Sequence, residues 1–330
     1  MRKKIFSLVL TAILAIGSLS ACSTESANDI SYSKKGTALN TAISITLYGK
    51  YDNAEEILKG CYNVIEKYEA MLSRTRQSSD IYILNNSGEV DANDETIELL
   101  KLGLEYCKIS QGGFNIAIEP LTSIWNFSAD NPKVPAQKDI DYALKHLDYN
   151  KINIKGNHVS LLDKESGIDL GAIAKGYIAD KVKEYLSEQN VKSALINLGG
   201  NILCLGTKPS GDSFKIGLQE PFKDRNVYST TVDVNDSSVV SSGTYERTFT
   251  ENGVSYHHIL NPVTGFPYDN NLVAVTILSK ESALGDVLST TCFSLGLDKG
   301  INLIKSMDNV EAIFVTADGK TYDTRYTSDK

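Results

Sequence analysis

Between residues 53 and 72 the apolar side chains of Ala54, Ile57, Leu58, Cys61, Val64, Ile65, Tyr68, Met71 and Leu72 recur at i, i+3, i+4 and i+7. That is the stripe of an amphipathic helix. Just upstream, Thr41–Tyr48 (TAISITLY) alternates apolar and polar positions and is rich in β-branched residues, which predicts a strand. Further helices are predicted over Asp94–Ile109, stopped by Gly112-Gly113, over 138–146, beyond Gly171 through Ile178, Val182 and Leu186, and over 283–295. A short hairpin is expected from 151–154 and 158–162, turning at Gly156-Asn157. Strand-like runs occupy 194–196, 202–205, 215–218, 228–234, 239–241, 255–260, 273–278 and 312–316. Helices and strands are interspersed without a regular βαβ repeat, so the expected class is α+β, with mixed sheets and flanking helices.

The chain begins on a different pattern. Arg2-Lys3-Lys4 precedes an almost unbroken apolar run over 5–16 and then Gly17-Ser18-Leu19-Ser20-Ala21-Cys22. A basic start, a short apolar core and small residues describe an export signal, since a spanning helix needs about 20 apolar residues. The ending Leu19-Ser20-Ala21-Cys22 resembles the bacterial lipoprotein lipobox, which implies lipidation of Cys22. Residues 1–21 are therefore expected to be a signal peptide, 22–36 a flexible tether and 37–330 the folded domain. The location expected is lipid-anchored to the cytoplasmic membrane, facing outside.

Composition narrows the chemistry. With 42% hydrophobic and 22% charged residues among 330, the chain is an ordinary globular one. Its net charge of −8 becomes −11 once residues 1–21, with three basic and no acidic side chains, are removed. Nucleic acid is a poor partner for such a surface. Cys61, Cys107, Cys204 and Cys292 follow no zinc or CxxC spacing and sit in apolar stretches, which predicts core thiols.

Four stretches could carry a reaction. In Asp169-Leu170-Gly171-Ala172-Ile173-Ala174-Lys175-Gly176 a strand end leads through a glycine turn into a helix with an early lysine, a possible phosphate cradle or an ordinary connection. It is not a P-loop, because Tyr177 and Ile178 stand where Lys and Ser/Thr are required. His257-His258 precedes a turn-rich Asn261-Pro262-Val263-Thr264-Gly265. Neighbours on a strand face opposite ways, so at most one imidazole faces a given pocket, where it could act as acid or base; the alternative is one buried structural imidazole and one on the surface. Asp286 and Thr290 share one helix face and offer hard oxygens suited to Mg²⁺, or serve the helix itself. Asn197-Leu198-Gly199-Gly200 ends a strand in a double glycine that either admits a ligand or makes a tight turn.

In order and spacing these stretches resemble the ApbE-like FAD:protein FMN transferases, from about Leu39 to about Gly296. Leu72-Ser73-Arg74 with Ser79 and Asn85, Gly112-Gly113-Phe114-Asn115 followed by Pro120-Leu121, and 169–176 match family elements in turn. So do Asn197–Gly200, Ser242-Gly243 with Tyr245-Glu246-Arg247, His258-Ile259 with Pro262, Thr264 and Gly265, and Asp286 with Thr290. The sequence departs from the family pattern at Asn40, Ala172 and Gly285, and at Asn115 and Asn261, where acids are usual.

The resemblance implies an ApbE-like architecture related to the T-fold, and Mg²⁺ held by Asp286, Thr290 and the Ala172 carbonyl. It implies an FAD site lined by Asn115, Asp169, Lys175, Ser242, Gly243, His258 and Ile259. The implied reaction moves FMN from FAD to a Ser or Thr of an acceptor protein, releasing AMP, with Lys175 neutralising charge and His258 as general base; Asp286 is the rival base. Alternatives are an Mg²⁺-dependent FAD pyrophosphatase, a flavin-binding lipoprotein without chemistry, and a solute receptor.

Overall fold

After β1 (Ser31–Ala38) and β2 (Thr41–Tyr48) the chain forms α1 (Ala54–Leu72), α2 (Asp80–Ser87), β3 (Glu89–Asp91), α3 (Asp94–Ile109), α4 (Glu119–Trp125) and α5 (Gln137–Ala143). The hairpin β4 (Ile152–Lys155) and β5 (His158–Leu161) follows, then α6 (Ala174–Glu188), β6 (Ala194–Leu198), β7 (Asn201–Leu205), β8 (Phe214–Gln219) and β9 (Tyr228–Val234). The last third holds β10 (Ser238–Gly243), β11 (Thr248–Glu251), β12 (Val254–His257), β13 (Leu272–Ser279), α7 (Ser282–Leu295), α8 (Leu297–Lys305), β14 (Glu311–Thr316) and β15 (Thr321–Asp323). This computed structural model describes residues 30–224 and 227–326. The export signal, Cys22 and the start of the tether lie outside them.

The α+β class holds. Eight strands form one sheet in the order β1-β2-β6-β7-β10-β13-β14-β15, beside smaller sheets β3-β5-β4, β8-β9 and β11-β12. All the named strand pairs are antiparallel. The alternation in TAISITLY sends Ile43, Ile45 and Leu47 into the core. On that face α1, α6 and α7 lie side by side, with α6 touching both neighbours. The opposite face is covered by β8 and β9, whose Phe214, Ile216, Val232 and Val234 pack against Cys204 and Val239. A third, smaller core gathers Trp125, Ile140 and Leu260. The four cysteines in the described residues are free and buried, as their apolar settings predict. No helix among those residues is long and apolar enough to cross a membrane.

One boundary is corrected. Residues 31–36, expected in the tether, belong to β1, which pairs with β2 from Ser31↔Tyr48 to Ala38↔Thr41. Its side chains alternate between exposed and half-buried, with no apolar stripe to betray a strand; backbone pairing with β2 is what holds it. The turn between them places Leu39 and Asn40 at φ 55° and 54°. That left-handed pair suits a tight hairpin and explains why Asn is accepted where the family pattern has glycine.

Two further expectations change at their ends. The strand predicted over 255–260 stops at His257, and Leu260 returns only as an isolated bridge to Pro267. The helix predicted over 138–146 tightens into a 3₁₀ turn at Leu144–His146.

Candidate active site

The segment leading into α6 is shaped by side chains from α2 and α4. Ser79 caps α2 by accepting the Tyr82 amide (2.9 Å). That helix presents Asn85, whose Nδ2 donates to the Ile168 carbonyl (2.9 Å) while its Oδ1 accepts the Ile168 amide (2.7 Å). Asp169 then folds the turn: Oδ1 accepts the Gly171 amide (2.8 Å), and Oδ2 accepts the Thr122 hydroxyl (2.9 Å) and pairs with Arg74 Nε (3.3 Å). Arg74 also donates to Ser123 Oγ (2.9 Å) and pairs with Glu119 (3.4 Å). Both Asp169 oxygens are thus engaged within the protein, and the carboxylate builds the turn.

From that turn α6 runs antiparallel to α7. The Gly176 amide, whose helical partner four residues back would be the Ala172 carbonyl, donates instead to Asp286 Oδ2 (2.6 Å). Asp286 is only 4% exposed, so its oxygens depend on partners within the protein. The Lys175 ammonium lies 3.6 Å from Asp286 Oδ1 and 3.5 Å from the Gly171 carbonyl. A positive charge therefore already bridges the acid of α7 and a carbonyl of the turn.

Hydroxyls complete the junction. Ser242, near the end of β10, shares a hydrogen bond with Ser289 (2.7 Å) and lies 3.3 Å from the Thr290 hydroxyl. Among the described residues no group of three or more His, Cys, Asp and Glu could hold a metal ion. What this junction offers is one carboxylate, hydroxyls and turn carbonyls, a hard-oxygen set that leaves positions for water and phosphate. Those residues fit Mg²⁺ and do not suit zinc.

The two histidines have different settings, with His257 ending β12 and His258 lying just beyond it. His257 is occupied structurally, with Nε2 against the Tyr268 carbonyl (3.0 Å) and Nδ1 accepting the Ile259 amide (3.3 Å). In His258, by contrast, Nδ1 is buried and has no partner. Burial, then the charges of Arg247, His257 and Lys175, push its pKa down to about 3, despite a backbone hydrogen bond with Arg247. The imidazole is neutral at physiological pH and stands among cations, an environment suited to a polyanion.

Other expected site residues play quieter parts. Asn115 belongs to a segment adjoining Asp169, whose amide donates to the Ile116 carbonyl (2.9 Å). Its own side chain is spent on the Leu147 carbonyl (2.7 Å) and the Ala117 amide (2.8 Å). Ile259 packs into the main core and accepts the Tyr268 amide through its carbonyl (2.9 Å). Gly243 is buried, and a Cβ there would stand 2.7 Å from the Tyr245 ring. Two open clefts, of about 430 and 370 Å³, border the β1–β2 turn and the far end of β2, and neither is lined by Lys175 or Asp286.

Sequence reading missed Glu119, Thr122 and Ser289, which meet the site only through folding, and Asp180. For Asp180 a signal existed, because it follows Gly176 by four residues and so shares its helix face.

The chain is similar to known proteins over most of its length. Residues 39–314 match the ApbE family. An FAD:protein FMN transferase of Klebsiella pneumoniae (strain 342) is 35% identical over 290 residues, covering 86% of this chain and 89% of that one. One from Treponema pallidum (strain Nichols) is 33% identical over 308 residues, covering 87% and 85%. The crystal structure of the ApbE protein from Thermotoga maritima superposes with TM-score 0.82 at 27% identity, over 89% of this chain and 97% of that one. The flavin transferase ApbE from Vibrio cholerae gives 0.80 at 23%, with the same coverage, a likeness of fold. With residues 39–314 matched by the family and relatives of 33–35% identity covering most of its length, the chain belongs to the ApbE family.

Proposed function

We propose that this protein is an Mg²⁺-dependent FAD:protein FMN transferase, moving FMN from FAD to a Ser or Thr hydroxyl of an acceptor protein and releasing AMP. The observation that carries the reading is the meeting of Lys175, Asp286 and the Gly171 turn within hydrogen-bonding and ion-pairing distance. The names of the relatives that cover most of the chain support it.

In this reaction the acceptor oxygen bonds to the FMN-side phosphorus of the pyrophosphate, the bond from that phosphorus to the AMP oxygen breaks, and the hydroxyl proton is taken up. Such transfers depend on positioning and charge neutralisation more than on covalent help. Asp286, Thr290 and the Ala172 carbonyl would hold Mg²⁺, which when bound neutralises pyrophosphate oxygens. Lys175 supplies a fixed positive charge beside them. His258 is the proposed proton acceptor: its Nδ1 is unpartnered, and although burial is the main cause of its lowered pKa, an arriving polyanion offsets the part due to the neighbouring cations. Ser242 and Gly243 border the same junction.

The proposal extends to location: lipid attachment through Cys22 would hold the enzyme on the outer side of the cytoplasmic membrane. Mass analysis of the mature N-terminus, with Cys22→Ser as control, tests that part. The chemistry is tested by incubating the protein with FAD, Mg²⁺ and a candidate acceptor protein from the same side of the membrane, read by intact mass. An FMN adduct supports transfer; FMN and AMP without adduct mean hydrolysis, and unchanged FAD means binding alone.

A further inference from the structure

Helix α7 carries both side chains proposed to hold the cation, yet its own N-cap residue, Glu281, makes no capping hydrogen bond. The cap comes from another helix. Asp180 of α6 accepts the Ser282 amide on Oδ1 (2.8 Å) and the Ala283 amide on Oδ2 (2.8 Å). The first turn is tied a second time, because the Ser282 hydroxyl donates to Asn201 Oδ1 at the start of β7 (2.7 Å). One turn further along α7, and one turn back along α6, the Gly176 amide meets Asp286. Two rungs, each a carboxylate on backbone amides, therefore join the antiparallel pair about one helical pitch apart, roughly 5.4 Å.

We infer that Asp180 is a positioning residue for the cation site: by capping α7 it fixes the register in which Asp286 meets the Gly176 amide and Thr290 follows one turn later on the same helix. The inference rests on the proposed metal-dependent reading. Its physical basis is that the proposed ligands come from α7 and from the turn that precedes α6, so a slide or rotation of α7 by a fraction of a turn separates them. The Gly176–Asp286 rung is a single hydrogen bond to Oδ2, and the two amide contacts of Asp180 add a hold on α7 that is independent of the oxygen Asp286 turns to the cation. Both Asp180 oxygens are taken by amides of α7, so it acts through the helix. Carboxylates at a helix N-terminus are favoured by its free amides and dipole, and a bidentate one also fixes direction.

The test measures Mn²⁺ binding to the full-length protein by calorimetry and by the electron paramagnetic resonance of free Mn²⁺, without FAD, alongside FMN transfer titrated with Mg²⁺. Wild type, Asp286→Ala, Asp180→Asn and the milder Ser282→Ala are compared. Loss of binding in Asp286→Ala identifies the site. Asp180→Asn keeps one acceptor and turns an amide donor toward the other N–H. It is expected to weaken Mn²⁺ binding about tenfold, the scale of losing a helix cap. The Mg²⁺ concentration for half-maximal transfer should rise by a similar factor, while turnover at saturating Mg²⁺ stays near wild type. Ser282→Ala should shift both in the same direction by a smaller factor. Unchanged Mn²⁺ affinity in a folded Asp180→Asn with a lowered melting temperature would make the cap merely structural and overturn the inference. A wild type that transfers FMN yet binds no Mn²⁺ at Asp286 would overturn the metal reading and this inference together, leaving the transferase reading standing.

Discussion

Gly176 lacks a side chain where Ser282 fills the space. A Cβ built on Gly176 would stand 2.2 Å from the Ser282 carbonyl oxygen and 2.8 Å from the Ala283 Cα. Helices α6 and α7 thus cross backbone to backbone, and this close approach lets the Gly176 amide reach Asp286.

Gly176→Ala sets helix propensity against packing. Alanine gains about 1 kcal/mol over glycine in a helix interior and less in the first turn, where Gly176 stands. The clash is with backbone rather than with a flexible side chain, and overpacking costs about 1–3 kcal/mol. The variant is expected to be destabilised in urea unfolding and to lose transfer activity because α7 is pushed off the turn. A variant of wild-type stability and activity would remove the close crossing from the account.

Asp286→Ala removes the buried carboxylate that meets both Lys175 and Gly176. Mg²⁺-dependent FMN transfer is expected to fall by at least about a hundredfold, the loss seen when one preorganised charge-stabilising group is deleted. Lys175→Ala should fall similarly while retaining Mn²⁺ binding. Intact-mass time courses on an acceptor protein measure both, and wild-type rates in either would remove that residue from the reaction.

Two groups near the junction shift in opposite directions on the pH axis. His258 has its pKa lowered from 6.5 to about 3, so the unfolded chain binds the extra proton first and this contribution to stability is lost as pH falls from 6.5 toward 3. Burial raises Asp180 from 3.8 to about 6, against the Ala283 and Ser282 amides that lower it, so its contribution is lost as pH rises from about 4 through 6. The two slopes partly cancel in wild type. Urea unfolding across pH 3–7 should show a shallower acid loss in His258→Gln and a steeper one in Asp180→Asn. Parallel curves for all three proteins would contradict both assignments.

The thiols of Cys61, Cys107, Cys204 and Cys292 are buried and free, and burial pushes each up to about 12. Only the thiolate reacts readily. Alkylation of the native protein at pH 8 is therefore expected to leave all four unmodified, and labelling in denaturant to modify all four without prior reduction. Peptide mapping by mass decides it; a reduction requirement would mean a disulfide.

The residue pattern alone makes legible the elements with strong period and length. The α1 stripe and the alternation of β2 are local patterns that burial of one face merely confirms, and the order of short motifs was enough to indicate the family. It left out β1, α2, β3, α4, β11, α8 and β15. These are short or lack an apolar stripe, and they exist because a neighbour offers backbone pairing or a packing face, as β2 does for β1.

The division of labour within the motifs was decided by tertiary structure alone. Strand alternation predicts that His257 and His258 point apart, but only the fold gives His257 to the Tyr268 carbonyl and leaves His258 Nδ1 unpartnered among cations. Asp169 and Asn115 look like ligand contacts in sequence, yet their oxygens and amide are committed to nearby groups of the chain. Asp286 lies 110 residues from Gly176, and no local pattern encodes their meeting. Residue type and spacing fix what a side chain can do within one element. Which of those capacities survives depends on the groups that another element brings within about 3 Å, where hydrogen bonds form and charges are felt most strongly.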